Sequence, residues 1–344
     1  MLPVVDLRLA AQLLSGPPAG SPLDVVRRLL AVQAQDPRGA RLAIRARTAG
    51  HTAADLDVAL TDERSMVITW LNRGTLHLVA AEDYWWLQQL TTPQLRVGNA
   101  RRLSQEGVAP DAAEDGVALV AAALADGPLT RAQLRERLAG AHIRVEGQAL
   151  VHILMLASLR GVCVRGPMAG GDHQYVLVAD WLGPPPPAWD RDRALAELAR
   201  RFLAGHGPAT ARDLARWAGI TLGDARRGVT RIAGPLVEHT GGLVDLAGRP
   251  EPPGPPPPRL LGPFEPLLMG WTSRQPILDG HESVVTVNGI FRPFALVDGI
   301  AAATWALAGG VTVTPFQPLS PPVTAALEAE ASDVRRFLAG TRYR

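Results

Sequence analysis

Apolar residues recur every three to four positions through "VDLRLAAQLL", "SPLDVVRRLLAVQ" and "DPRGARLAIRARTA", which predicts three helices in the first fifty residues. Ser21 reads as an N-cap with Pro22 at the first helical position. The pattern then changes period. "MVITWLNRGTLHLVA" at 66–80 reads as two strands around the turn Asn72–Gly74. Further on, "GPLTRAQL" at 127–134 is echoed by "GPATARDL" at 207–214. Each places a threonine, Thr130 or Thr210, after a Gly-Pro turn, with Gln133 or Asp213 three residues later, which is a capping box and a close variant of one. A helix precedes each motif, two follow it, and two β-rich pieces across a glycine turn close it: "VCVRGPMAGGDHQYVLV" and "LVEHTGGLVDL". Three helices and a two-stranded wing form a winged helix, a helix-turn-helix variant, and the first hundred residues fit the same plan.

Two proline-rich stretches, "GPPPPAW" at 183–189 and "PEPPGPPPP" at 250–258, read as extended connectors. The expected class is α+β. It comprises winged-helix units over 1–103, 104–183 and 184–254, then a small β-rich module with a terminal helix over 255–344. "SVVTVNGIFRPFALVDGIAAATWAL" supplies the strands of that module and "PPVTAALEAEASDVRRFLA" its helix.

Composition narrows the chemistry. Of 344 residues, 47% are apolar and 20% charged, which fits a soluble globular protein. No apolar run reaches the roughly 20 residues of a membrane span, and the N-terminus lacks signal-peptide character, so a cytoplasmic location is expected. The single cysteine, Cys163, excludes an internal disulfide and cysteine-based clusters. All 35 basic residues are arginine. Without a lysine side chain, Schiff-base chemistry on a side-chain amine is closed, while arginine suits phosphates. With a net charge of only +2, nucleic-acid binding requires an uneven charge distribution. Walker, GxGxxG, HExxH and GxSxG motifs are missing, the histidines show no metal-ligand spacing, and no cofactor or metal is expected.

The unusual local feature is "AVQAQDPRGAR" at 31–41. On a helix, Gln33 and Gln35 would point about 200° apart. On an extended stretch they would face the same way, and Pro37 disfavours helical geometry at Asp36. If the helix unwinds near Gln33, the two amides can converge. From spacing alone, a capped helix end followed by a loop amide is the ordinary reading. Arg38, Arg41 and Arg45, at i, i+3 and i+7, share a helix face as a basic stripe beside the amides. The "NRGTLHL" hairpin places Arg73, Thr75 and His77 on one strand face, as a wing able to touch phosphates, and "NGIFRPF" contains Arg292.

Five stretches, "AVQAQDPRGARLAIRAR", "TWLNRGTLHLVAAEDYWWL", "GPATARDLARWAGI", "LLGPFEPLLMG" and "NGIFRPFALVDGIAAATW", together resemble the AlkZ/YcaQ-type winged-helix DNA glycosylases, in order from about residue 5 to about residue 310. Gln-x-Gln before Asp-Pro is the most specific mark and matches the AlkZ branch. The resemblance implies tandem winged helices, C-shaped around a concave DNA-binding face. It implies a monomer acting in bacteria, nucleoid-associated, on double-stranded DNA containing alkylated purines. It implies release of N7-alkylated purines, including bulky natural-product adducts or interstrand crosslinks, as DNA repair or self-resistance. Gln33 and Gln35 would be catalytic, and Arg38, Arg41, Arg45, Arg73, Thr75, His77 and Arg292 would bind DNA. A winged-helix transcription regulator and a non-catalytic drug-sequestering protein are the alternative functions. The chain departs from the family in two places: Phe264-Glu265-Pro266-Leu267 replaces a more usual Phe-Asp-Glu-Tyr, and "ALAGG" follows Trp305 where basic residues are usual.

Overall fold

Helix starts are set by side chains within a turn of themselves. Ser21 accepts a hydrogen bond from the Asp24 amide at 3.2 Å and starts the helix Pro22–Leu29. Thr130 and Thr210 form complete capping boxes with Gln133 and Asp213, and the second uses aspartate as effectively as the first uses glutamine. The computed structural model describes residues 3–340 and mixes helix with sheet. Backbone contacts divide the chain into two compact units, residues up to Leu56 together with those from Asp192, and Asp57–Arg191. The segment 1–103 is therefore shared between units rather than forming one.

In the first unit, helices Val4–Ala11, Pro22–Leu29 and Pro37–Arg45 combine with two later segments. One contains the helices Arg191–His206, Ala211–Ala218 and Leu222–Thr230 and the hairpin Leu236–His239 with Leu243–Leu246. The helix Pro22–Leu29 lies directly against Arg191–His206, since a Cβ on Gly205 would fall 2.4 Å from the Arg28 carbonyl oxygen. The other segment is a four-stranded antiparallel sheet in the order 311–315, 300–307, 294–297, 259–261, closed by the helix Pro321–Leu338. Leu42, Leu260, Ala295, Ala303, Trp305, Leu327 and Val334 form its core. Each large side chain there contributes about 1.5–3 kcal/mol by leaving water. The Trp305 indole N–H donates to the Leu261 carbonyl at 2.8 Å, so the buried ring keeps its hydrogen bond.

In the second unit, helices Pro110–Leu124, Arg131–Gly140 and Ala149–Leu159 precede the hairpin Cys163–Ala169 with Asp172–Leu177. A bridge between Leu129 and Tyr175 ties the capped turn to that hairpin, as Ala209 with Val244 does in the first unit. The hairpin Met66–Leu71 with Thr75–Ala80 joins through Ile68 opposite Arg165. Thr69 and Ser158 share a buried hydroxyl hydrogen bond of 2.9 Å beneath it.

The helix expected through Val32–Gln33 stops at Leu29. Leu30 takes φ = 65°, and Val32–Gln33 is a short strand. A non-glycine residue in the left-handed region ends the helical hydrogen-bond ladder there.

Candidate active site

The extended link between two helices carries both amides. It begins at Leu30 and ends at Asp36, whose φ of −104° and ψ of 115° are those a residue before proline adopts. Asp36 Oδ1 then accepts the Gly39 amide at 2.8 Å, and Pro37 opens the next helix. Gln33 is buried at 8% exposure, and among the described residues its Oε1 has no hydrogen-bond partner. A buried, unpaired amide oxygen costs about 1–3 kcal/mol. Gln35 is solvent-exposed in the bend that follows.

The arginine stripe does not form. Arg38 is partly exposed, whereas Arg41 and Arg45 are 1% and 3% exposed. Arg41 Nη1 donates to the Pro37 carbonyl at 3.1 Å. Arg45 donates to Asp333 at 2.9 Å, to Glu330 at 2.8 Å and to the Leu260 carbonyl at 2.7 Å. These contacts join its helix to the sheet and the terminal helix. Burial would raise the Glu330 carboxyl, but the Arg45 charge and hydrogen bond, the Leu260 amide and Arg259 outweigh it and hold the group below the usual range. Arg47 is equally buried and donates to Gln12, to the Ala43 carbonyl and to Glu265. Glu265, in the segment that departs from the family, is therefore the partner of a fully buried guanidinium. Its second oxygen, Oε2, has no partner among the described residues. Sequence reasoning missed Glu330 and Asp333. The only signal was the pair of acids three apart on the terminal helix.

Phe264 adopts φ = 55°, a left-handed conformation costing a bulky residue about 1–3 kcal/mol. Its half-buried ring lies 5.8 Å from that of Phe291, over which Arg274 sits at 4.9 Å. The preceding residue touches the amide-bearing region, since a Cβ on Gly39 would meet the Pro263 carbonyl oxygen at 2.5 Å. Arg292 is exposed beside Phe291, at the foot of a turn whose tip bears the exposed Val287 and Ile290.

In the second unit, the 72–74 turn has Asn72 at φ = 53° and Gly74 at φ = 82°. Only Arg73 of the three expected wing residues is exposed. Thr75 is half-buried, and its Oγ1 has no partner among the described residues. His77 is 3% exposed and donates through Nδ1 to the Thr75 carbonyl at 2.9 Å. Burial first, and the Arg73 charge second, lower its pKa to about 3, so it is a neutral imidazole and not a cation for phosphate. The single strand face expected for Arg73, Thr75 and His77 is thus corrected. Arg73 belongs to the turn, and the other two point inward because the turn is clamped on the helices below. A Cβ on Gly74 would lie 3.3 Å from Met155 Cε. The helix Ala149–Leu159 of this unit is also mostly buried and presents no basic face.

The chain matches the AlkZ-like DNA glycosylase family over residues 26–337 and belongs to that family. DNA is accordingly its substrate class. Among solved structures it is similar to the DNA glycosylase AlkZ of Streptomyces sahachiroi, with a TM-score of 0.78 and 25% identity over 99% of this chain and 97% of that one. No curated protein matches the sequence. Among the described residues no helix is long and apolar enough to cross a membrane.

Proposed function

We propose that the protein is a monofunctional glycosylase that hydrolyses the N-glycosidic bond of N7-alkylated purines, bulky guanine adducts and crosslinks included, and that it acts as a monomer. The observation that carries this reading is Gln33, a buried amide whose Oε1 lacks a partner among the described residues, on an extended link two positions before the exposed Gln35. Alkylation at N7 makes the purine cationic and already a good leaving group, so the bond opens with oxocarbenium character without protonation of the base. What the enzyme adds is a positioned water at C1′. The glutamine carbonyl oxygens accept that water's hydrogens and orient it; the base leaves with the bonding electrons, and the water's proton passes to solvent. Neither amide ionises, so the chemical step varies little between pH 6 and 8. A chain without side-chain amines leaves an intact abasic site.

The repeated helix–helix–helix–hairpin segments are read as tandem winged helices presenting a concave face to the duplex. Arg38, Arg73 and Arg292, each at least partly exposed, are assigned to backbone phosphates.

Incubation with a duplex carrying 7-methylguanine, followed by hot alkali, tests the proposal. Cleavage at the lesion only after alkali is expected, and Gln33→Ala and Gln35→Ala each lower the single-turnover rate about a hundredfold or more. Strand breaks before alkali, or full activity in both variants, would overturn it. Tight binding of one undamaged sequence without base release would indicate a transcription regulator.

A further inference from the structure

We propose that Phe264 is the surface on which the alkylated purine stacks, and that its π-face selects the cationic base over neutral ones. This rests on the glycosylase reading above and adds the residue that distinguishes a damaged base.

The residues on both sides of Phe264 are fixed. A Cβ on Gly262 would meet that of Leu42 at 2.8 Å, and Pro263 abuts Gly39. Glu265 is buried against Arg47 and caps the turn that follows, accepting the Leu267 amide at 3.2 Å. Anchors before and after hold the chain in a left-handed conformation at Phe264, where glycine or asparagine would be unstrained. The residue is only partly buried, so burial offsets no more than part of that strain. Strain that surrounding contacts over-determine, at an aromatic residue that keeps part of its surface in solvent, is the pattern of a functional position.

The neighbours define what the face takes. Phe291 backs the ring at 5.8 Å and 40°, and the Arg274 guanidinium covers Phe291, so a resident cation occupies the second aromatic ring. Pro263, next to Phe264 in the chain, touches Gly39 in the first turn of the helix that follows Gln35 and Asp36. A ring face carries negative electrostatic character and attracts cations. An N7-alkylated purine is both flat and positively charged, whereas an undamaged purine is flat and neutral. Stacking contributes to holding either base, and the charge favours the damaged one.

The test compares Kd for duplexes with and without 7-methylguanine, the single-turnover excision rate, and thermal melting, for wild type, Phe264→Leu, Phe264→Tyr and Phe264→Gly. Phe264→Leu is expected to weaken binding of damaged DNA more than that of undamaged DNA, reducing the damaged-to-undamaged preference at least about fivefold, and Phe264→Tyr restores the preference. Phe264→Gly is expected to melt no lower than wild type yet to lose the preference, a result that a purely structural ring would not give. An active wild type whose preference survives in Phe264→Leu overturns this assignment alone. A wild type that releases no base from any alkylated duplex overturns the glycosylase reading and this assignment with it.

Discussion

Replacing Gln33 with leucine separates stability from activity. In the native state Gln33 is 8% exposed, and its Oε1 meets no donor among the described residues. Leaving such an oxygen unpaired costs about 1–3 kcal/mol, and leucine occupies similar volume without it. Loss of whatever the amide nitrogen contributes offsets part of the gain, so Gln33→Leu is expected to be about 0–2 kcal/mol more stable than wild type. For a cooperative unit of roughly 200 residues, that corresponds to a rise in Tm of up to about 4–8 °C. Excision moves the other way. Without an acceptor for the attacking water, the single-turnover rate falls by about two orders of magnitude or more. Calorimetry and release of 7-methylguanine under single-turnover conditions read the two effects on the same preparation. A variant that melts several degrees below wild type would show that Oε1 is paired in the native state. A variant excising within threefold of wild type would show that the amide does not position the water. Either result refutes the reasoning, because a catalytic group left unpaired for its substrate must be costly to the fold and necessary to the reaction.

Other perturbations test the buried charges. Arg45→Met removes the buried partner of Glu330, which keeps Arg259, while the partly exposed Asp333 keeps Arg336; it is expected to lower unfolding free energy by about 1–3 kcal/mol in urea titration, and no measurable loss would mean that the arginine is dispensable to the fold. His206, like His77, has a pKa lowered from 6.5 to about 3, burial being the largest cause. Both are neutral when folded and take up a proton on unfolding below pH 6.5. Their contribution is therefore fully present above pH 6.5 and declines as pH falls toward 3, by at most about 1.4 kcal/mol per pH unit for each. Urea unfolding of His206→Phe between pH 7 and 5 should give a shallower pH slope than wild type, and parallel slopes would contradict the buried neutral imidazole.

The legible features were those whose cause lies within a few residues. Thr130 with Gln133, and Thr210 with Asp213, could be read as caps because the donor and acceptor are three positions apart. The hairpin around Asn72–Gly74 and the pre-proline geometry of Asp36 were legible for the same reason. The arginine stripe was misread. Period alone puts Arg38, Arg41 and Arg45 on one helix face, but it does not say whether that face meets water or protein. The face meets Glu330, 285 residues away in sequence, and Asp333, 288 away. His77 was misplaced likewise, because alternation along a strand gives two faces without saying which is covered.

By itself the sequence determined most of the helices, their caps, the turns, and that Pro37 keeps Asp36 out of helical geometry, though not that the helix before Gln33 already ends at Leu29. These follow from hydrogen bonds and steric limits that close within a turn. It also determined that no side-chain amine is present. Only the tertiary structure decided which polar groups are buried and with whom. That gave the unpaired Oε1 of Gln33, the pairing of Arg47 with Glu265 across 218 positions, and the strained Phe264 between two anchored neighbours. Burial and pairing depend on surfaces that meet only once the chain has folded, and a local pattern carries no record of its distant partner.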